Sequence, residues 1–323
     1  MNLADYAQIS NYAIASATGI VALAFLAHVA EWGFARRLAP QATPVAATVG
    51  AADARGEGGV AVAEGPGDDA EDEAASRADV LSSIAYSLTV LASVVLLVGM
   101  VTRGIAADRV PWGNMYEFGA GGALMALLVY VVTARFADVE WVGGIVNGFA
   151  LVVLGMAMST YVPAGPLVPA LHSYWLVIHV AAVMIAGGFF LLGTAASVLY
   201  LIRSRAESRG TVGGVLGRFP TAAVMDQLAY RANAVAFPLW TFGALIAGPI
   251  WAHYAWGRYW GWDPKEVWVF ITWVVYAGYL HARATAGWKG RRAAIIAIVG
   301  FATFLFSYYG VNLFGGGLHS YAK

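Results

Sequence analysis

Eight stretches of this chain are apolar for roughly twenty residues each, the length an α-helix needs to cross the hydrocarbon layer of a bilayer. They lie near residues 10–34, 81–102, 116–134, 142–160, 175–202, 232–252, 267–284 and 293–313. Composition agrees with them. Of 323 residues, 60% are hydrophobic and only 12% charged, and mean hydropathy is +0.66. Such a balance belongs to a protein that lives in lipid. The expected fold is therefore an all-α, polytopic membrane helical bundle of about eight transmembrane helices.

Basic residues orient the bundle. With the N-terminus outside, fourteen of the nineteen Lys and Arg fall on inner segments, Arg36, Arg203, Arg218 and Arg283 among them. The outer segments hold only Arg103, Arg109, Arg258, Lys265 and Lys323. Positive charge stays on the cytoplasmic side, so both termini are expected to be extracytoplasmic. Asp5 precedes the first apolar run and no basic segment stands before it, so that run reads as a span, not a cleaved signal. Net charge is zero and points to no nucleic-acid partner. Cysteine is absent, which excludes disulfides, thiolate metal sites and a cysteine nucleophile of the chain's own.

Three regions follow. Residues 1–39 hold the first span, and 80–323 form the main membrane domain. Between them, 40–79 is rich in Gly, Ala, Pro and acidic residues without a single aromatic, and reads as a disordered acidic cytoplasmic linker. Glycine pairs inside the spans, such as Gly121-Gly122, Gly143-Gly144 and Gly187-Gly188, read as close helix packing.

The densest chemistry lies on the outer face, at 251–268, in Trp256-Gly257-Arg258-Tyr259-Trp260-Gly261-Trp262-Asp263-Pro264-Lys265-Glu266-Val267-Trp268, flanked by Trp251 and Trp273. Indoles gather at membrane surfaces, which is one reading. The other is a flat aromatic platform for a large planar ligand, with Arg258 and Lys265 placed to meet its carboxylates. Asp263, Pro264 and Glu266 also spell a capping box with proline at the first helical position. A second outer loop carries Asn114-Met115-Tyr116-Glu117, where Asn and Glu suit a helix start.

Six histidines remain to be sorted: His28, His172, His179, His253, His281 and His319. His179, near the outer start of the fifth span, and His319, in a glycine-rich tail, lie on the face of the tryptophan stretch. Two imidazoles beside an aromatic shelf suit a bis-histidine haem iron. His281 lies deep in the seventh span, where an ionisable group is costly and points to function, or where it helps close a helix end. His28 sits at similar depth as a further candidate ligand. His172 and His253 are expected simply to be wet.

The run WGRYWGWDPKE resembles the tryptophan-rich WWD signature of the haem-handling protein superfamily, and within it the CcsA/ResC-type family of system II cytochrome c biogenesis. The likeness extends from about Trp112 to the C-terminus and includes the N-x-Y-E run. It implies His179 and His319 as axial ligands of an outer haem b, with Trp256, Trp260, Trp262, Asp263, Arg258 and Lys265 around the ring, and His281 as ligand of an inner haem. It implies haem delivery to the outer face and covalent attachment to apocytochrome c as the lyase component of a cytochrome c synthase, with no catalytic residue separable from haem positioning. Implied partners are a CcsB/ResB-like membrane protein and a thioredoxin-like thiol reductant, in the plasma membrane rather than the thylakoid. Two alternatives stay open, a haem chaperone that only passes haem on and a membrane di-haem electron-transfer cytochrome. A solute transporter would want broken helices and inverted repeats, which are not evident.

Overall fold

The computed structural model describes residues 2–36, 68–166 and 171–319, and among these every regular element is helical. In order they are α1 (Leu3–Ala35), α2 (Asp68–Ala107), α3 (Met115–Thr133), α4 (Gly143–Ser159), α5 (Tyr174–Arg209), α6 (Val215–Arg218), α7 (Ala222–Trp240), α8 (Gly248–Trp256), α9 (Pro264–Thr285), α10 (Arg291–Leu305) and α11 (Val311–Phe314). A short 3-10 turn, Glu140–Val142, leads into α4, and two π-helical segments, Thr241–Ala247 and Phe306–Gly310, join α7 to α8 and α10 to α11. Among the described residues, seven helical rods are long and apolar enough to cross a membrane: α1, α2, α3, the turn with α4, α5, α7 through α8, and α10 through α11. α9 occupies the place of the remaining expected span with twenty-two residues, but its Trp, Tyr and His make it less aliphatic than the seven.

Long-range packing places α5 at the centre, against α3, α7, α8 and α10, while α1 lies chiefly along α2 and α4. Glycine permits the closest crossings. A Cβ added at Gly187 would lie 2.6 Å from the Phe304 ring, and one at Gly188 would lie 2.8 Å from Val129, so larger residues would force these helices apart.

Polar sequence signals mark the helix starts. Asn114 caps α3 by accepting from the Glu117 amide at 3.0 Å, Ser173 caps α5, and Asp263 with Glu266 forms the capping box of α9. The π segment at Thr241–Ala247 lies between Pro238 and Pro249, each of which removes a backbone donor and loosens the regular ladder.

One boundary is corrected. Residues 68–79, expected to belong to the irregular linker, are the first turns of α2. Alanines with strong helix propensity and acids favoured at a helix N-terminus account for this. Ala74 and Ala78 are buried there, and Asp79 pairs with Arg218. The rest of that linker lies outside the described residues. At forty residues α2 measures about 60 Å, twice the hydrocarbon thickness. Together with α5, which ends in an Arg203–Glu207 pair at 2.8 Å, it extends the bundle at the end opposite the tryptophan stretch.

Candidate functional site

The starts of α3, α5 and α9 and the ends of α8 and α11 meet at one end of the bundle. They enclose a cleft of about 1010 Å³, including its part open to solution. Its walls are aromatic: Trp112, Phe118, Trp240, Trp251, Trp256 and Trp260 all face it. Such a chamber suits a large planar apolar molecule.

Two imidazoles reach into it. His179, in the second turn of α5, has Nδ1 at 2.7 Å from the Gly243 carbonyl in the first π segment. A carbonyl only accepts, so Nδ1 carries the proton and Nε2 the lone pair. The His179 ring lies parallel to Trp251, 5° between planes and 6.0 Å between centres. His319 arrives from the tail. Its Nδ1–H donates to Asp263 Oδ1 at 2.9 Å, and its ring lies 5.8 Å from that of Trp251 and 4.9 Å from that of Trp256. Here too the tautomer leaves the lone pair on Nε2. A carboxylate or carbonyl fixing Nδ1–H is the usual support of a metal-binding imidazole.

The tail is shaped for this contact. Gly317 has φ +143, and a Cβ there would strike the Asp263 carboxylate. Asp263 Oδ2 also accepts the Leu318 amide at 2.8 Å, and Oδ1 the Lys265 amide at 3.0 Å. Burial alone would raise this carboxyl, but hydrogen bonds from His319, Leu318 and Lys265 outweigh it and hold the group at about 2. Burial lowers the His319 imidazole, against the pull of Asp263. The pair is therefore an ionised carboxylate and a neutral imidazole.

Glu266 builds the loop from within. Its Oε2 accepts the Gly261 and Asp263 amides at 2.8 and 3.0 Å. Arg258, expected at the ligand's carboxylates, instead folds beneath Gly261, where a Cβ would overlap its guanidinium, and approaches Glu266 at 3.9 Å. Lys265 does enter the cleft, its Nζ donating to Asn312 Oδ1 at 3.1 Å and standing 5.6 Å from the Phe118 ring centre. Trp262, expected on the shelf, is 66% exposed with φ +57 and meets Trp260 and Phe270 edge-on outside the cleft. Trp273 also lies outside, donating from Nε1 to Thr241 at 3.0 Å.

His281 is exposed on α9. His28 is buried at the opposite end of the bundle from the cleft, with Nδ1 3.2 Å from Glu31 and Nε2 against Gly143. Since α1 packs on α2 and α4 but α9 on α10 and α7, these two imidazoles do not meet. His172 is exposed; His253 is exposed and stacked on Tyr259 with centres 4.4 Å apart.

Sequence reasoning missed Trp240, Tyr308 and Asn312 in the cleft wall, because each sits in an apolar run with no motif around it. It also missed a charged knot behind Trp112. Glu117 and Arg103, both 0% exposed, pair at 2.9 Å, and Arg109 joins them at 2.7 Å. The Gly113 amide donates to the same carboxylate at 2.8 Å, which fixes the turn that carries Trp112.

Comparison with known proteins gives the family. Residues 88–319 match the cytochrome C assembly protein family. The chain belongs to that family. It is 35% identical over 260 residues to cytochrome c biogenesis protein CcsA of Guillardia theta, covering 74% of this chain and 85% of that one. It is 37% identical to the CcsA of Mesostigma viride, covering 68% and 79%, and 36% identical to that of Gloeobacter violaceus, covering 69% and 82%. Membership in the cytochrome c assembly family assigns the chain a part in cytochrome c maturation, as a multi-pass membrane protein concerned with haem. The match begins inside α2, so α1 lies outside it.

Proposed function

We propose that the cleft holds haem b on the extracytoplasmic side of the plasma membrane and presents it for covalent attachment to apocytochrome c, in concert with a CcsB/ResB-like membrane protein. The observation that carries this is the matched state of His179 and His319. Each has Nδ1 tied to an oxygen acceptor, Gly243 or Asp263, which sets the tautomer with the lone pair on Nε2, the atom a porphyrin iron takes.

The remaining lining suits the rest of the molecule. Trp251, Trp256 and Trp260 suit the ring faces, and Lys265 suits one propionate. In the reaction, each substrate thiol adds across a vinyl group. A C–S bond forms at one carbon, the proton goes to the other, and nothing leaves. The chain's residues supply position only: two ligands fix the iron and the indoles fix the plane, so that the vinyl edge meets the thiols. The acceptor's own histidine then replaces one imidazole and frees the product, while a thioredoxin-like reductant keeps the acceptor thiols reduced. His281, exposed on α9, suits an inner haem whose other ligand comes from the partner. A self-contained di-haem cytochrome is disfavoured because His28 and His281 stand on helices with different neighbours.

The test uses the chain purified with its native partner. The expected result is a haem absorption band that falls in His179→Gly and His319→Gly. Free imidazole, entering the hole beside the iron from the outer solution, should restore part of the band and of reporter cytochrome maturation. His172→Gly should need no rescue. A correctly inserted wild-type protein without haem would overturn the reading, as would two glycine variants that both keep it.

A further inference from the structure

Beside the cleft lies a second depression, of about 940 Å³ of open space, that the reading above leaves unused. It runs along the start of α5 and the end of α8, between Tyr174 and Tyr254. These two residues are 66% and 65% exposed, and neither hydroxyl has a hydrogen-bond partner among the described residues. His172 and Val177 lie along its length.

Two features say what fits there. First, the groove and the cleft share walls: Trp112, Leu171 and Leu176 border both. An occupant of the groove therefore lies against the edge of whatever the cleft holds. Second, the donors of its one arginine are already engaged, although the carboxylate they meet is shared with Arg103. Arg109 donates to Glu117 at 2.7 and 3.2 Å and to the Gly165 carbonyl at 3.0 Å. A lipid phosphate would find no unpaired guanidinium or ammonium group, whereas tyrosine hydroxyls and apolar walls suit an uncharged extended peptide, whose main chain needs partners at intervals.

We propose that this groove seats the thiol-bearing segment of the acceptor polypeptide and so fixes which edge of the haem the thiols approach. The proposal rests on the haem reading above. If thioether bonds are to form, the segment must pass within a side chain's reach of the cleft mouth. Trp112 would then be the partition between ligand and acceptor, held in place by the buried Glu117 knot behind it.

The experiment places a photo-crosslinking amino acid at Tyr254 in the full chain, expressed with its native partner and a reporter apocytochrome. Irradiation should capture the apocytochrome, and a synthetic peptide bearing Cys-x-x-Cys-His should compete with it. The same crosslinker at Phe136, at the other end of the bundle, should capture none. The Tyr174→Ala/Tyr254→Ala variant should keep its haem band while the peptide concentration for half-maximal competition rises on the order of tenfold, about 1.4 kcal/mol. If that variant fails to insert, Val177→Lys in the groove should give the same separation of haem retention from peptide binding. Capture of lipid or of the membrane partner alone at Tyr254 would overturn the groove assignment. So would full maturation in both variants. A wild-type protein that holds haem yet crosslinks no acceptor sinks only this proposal, while absence of haem sinks the reading beneath it.

Discussion

Three of the six indoles in the tryptophan stretch and its flanks face the cleft, and Trp262, Trp268 and Trp273 do not. That separation decides which substitutions cost haem. Trp256→Ala and Trp260→Ala remove cleft wall, and each should weaken haem retention by about tenfold or more, about 1.4 kcal/mol of lost burial and stacking. Trp262→Ala and Trp273→Ala should cost little retention. Haem per polypeptide in purified variants measures this; equal retention in all four would reduce the shelf to an interfacial aromatic belt. Asp263 carries a pH dependence. Its carboxyl is held at about 2 against an ordinary 3.8, so the stabilisation from its ionised form is complete above the ordinary value. It is lost as pH falls from there through about 2. Asp263→Asn keeps an oxygen for His319 but has no proton to take up, so its thermal stability in detergent should lack this acid-side decline. An identical decline in Asp263→Asn would assign the lability to other carboxylates. Asp263→Ala additionally removes the cap of α9, at about 1 kcal/mol.

Helix positions and caps were legible because they depend on local chemistry. An apolar run of bilayer length needs no tertiary context to declare itself, and neither does Asp263-Pro264-Lys265-Glu266 at a helix start. Which side of a loop a long cation takes is tertiary, and there sequence reading reached its limit. Arg258 and Lys265 are seven residues apart and alike in charge, yet Glu266 draws one beneath the loop while Asn312, from the far end of the chain, draws the other into the cleft. The start of α2 was hidden differently, since an acidic alanine-rich segment reads as solvated whether or not it is helical. Its burial against the bundle makes a prediction about that element. Deleting residues 44–63 between α1 and α2 should leave reporter cytochrome maturation nearly unchanged, because a shorter closed loop costs little. Ala78→Glu should lower it by placing a charge at a fully buried contact. Loss of maturation in the deletion, with the protein still in the membrane, would show that the segment does more than connect.

At the scale of the whole molecule, orientation decides whether the cleft can serve a reaction on the outer face at all. The start of α3, the end of α8 and the tail come together at one end, while the Arg283–Asp226 pair and the long ends of α2 and α5 mark the other. The distribution of Lys and Arg supports the proposal that the cleft end is outside. The chain holds no cysteine, so a single introduced thiol is the only one a reagent can find. Thr160→Cys, exposed just after α4 at the cleft end, should react with a membrane-impermeant maleimide in intact cells. Lys289→Cys, exposed between α9 and α10 at the other end, should react only after the membrane is opened. The reverse pattern would put the cleft on the cytoplasmic side and overturn the proposed orientation. Equal labelling of both positions in intact cells would mean leaky cells, which a cytoplasmic marker thiol detects in the same sample. Because the two positions lie at opposite ends of the same bundle, one labelled and one protected thiol fix the orientation of every rod between them.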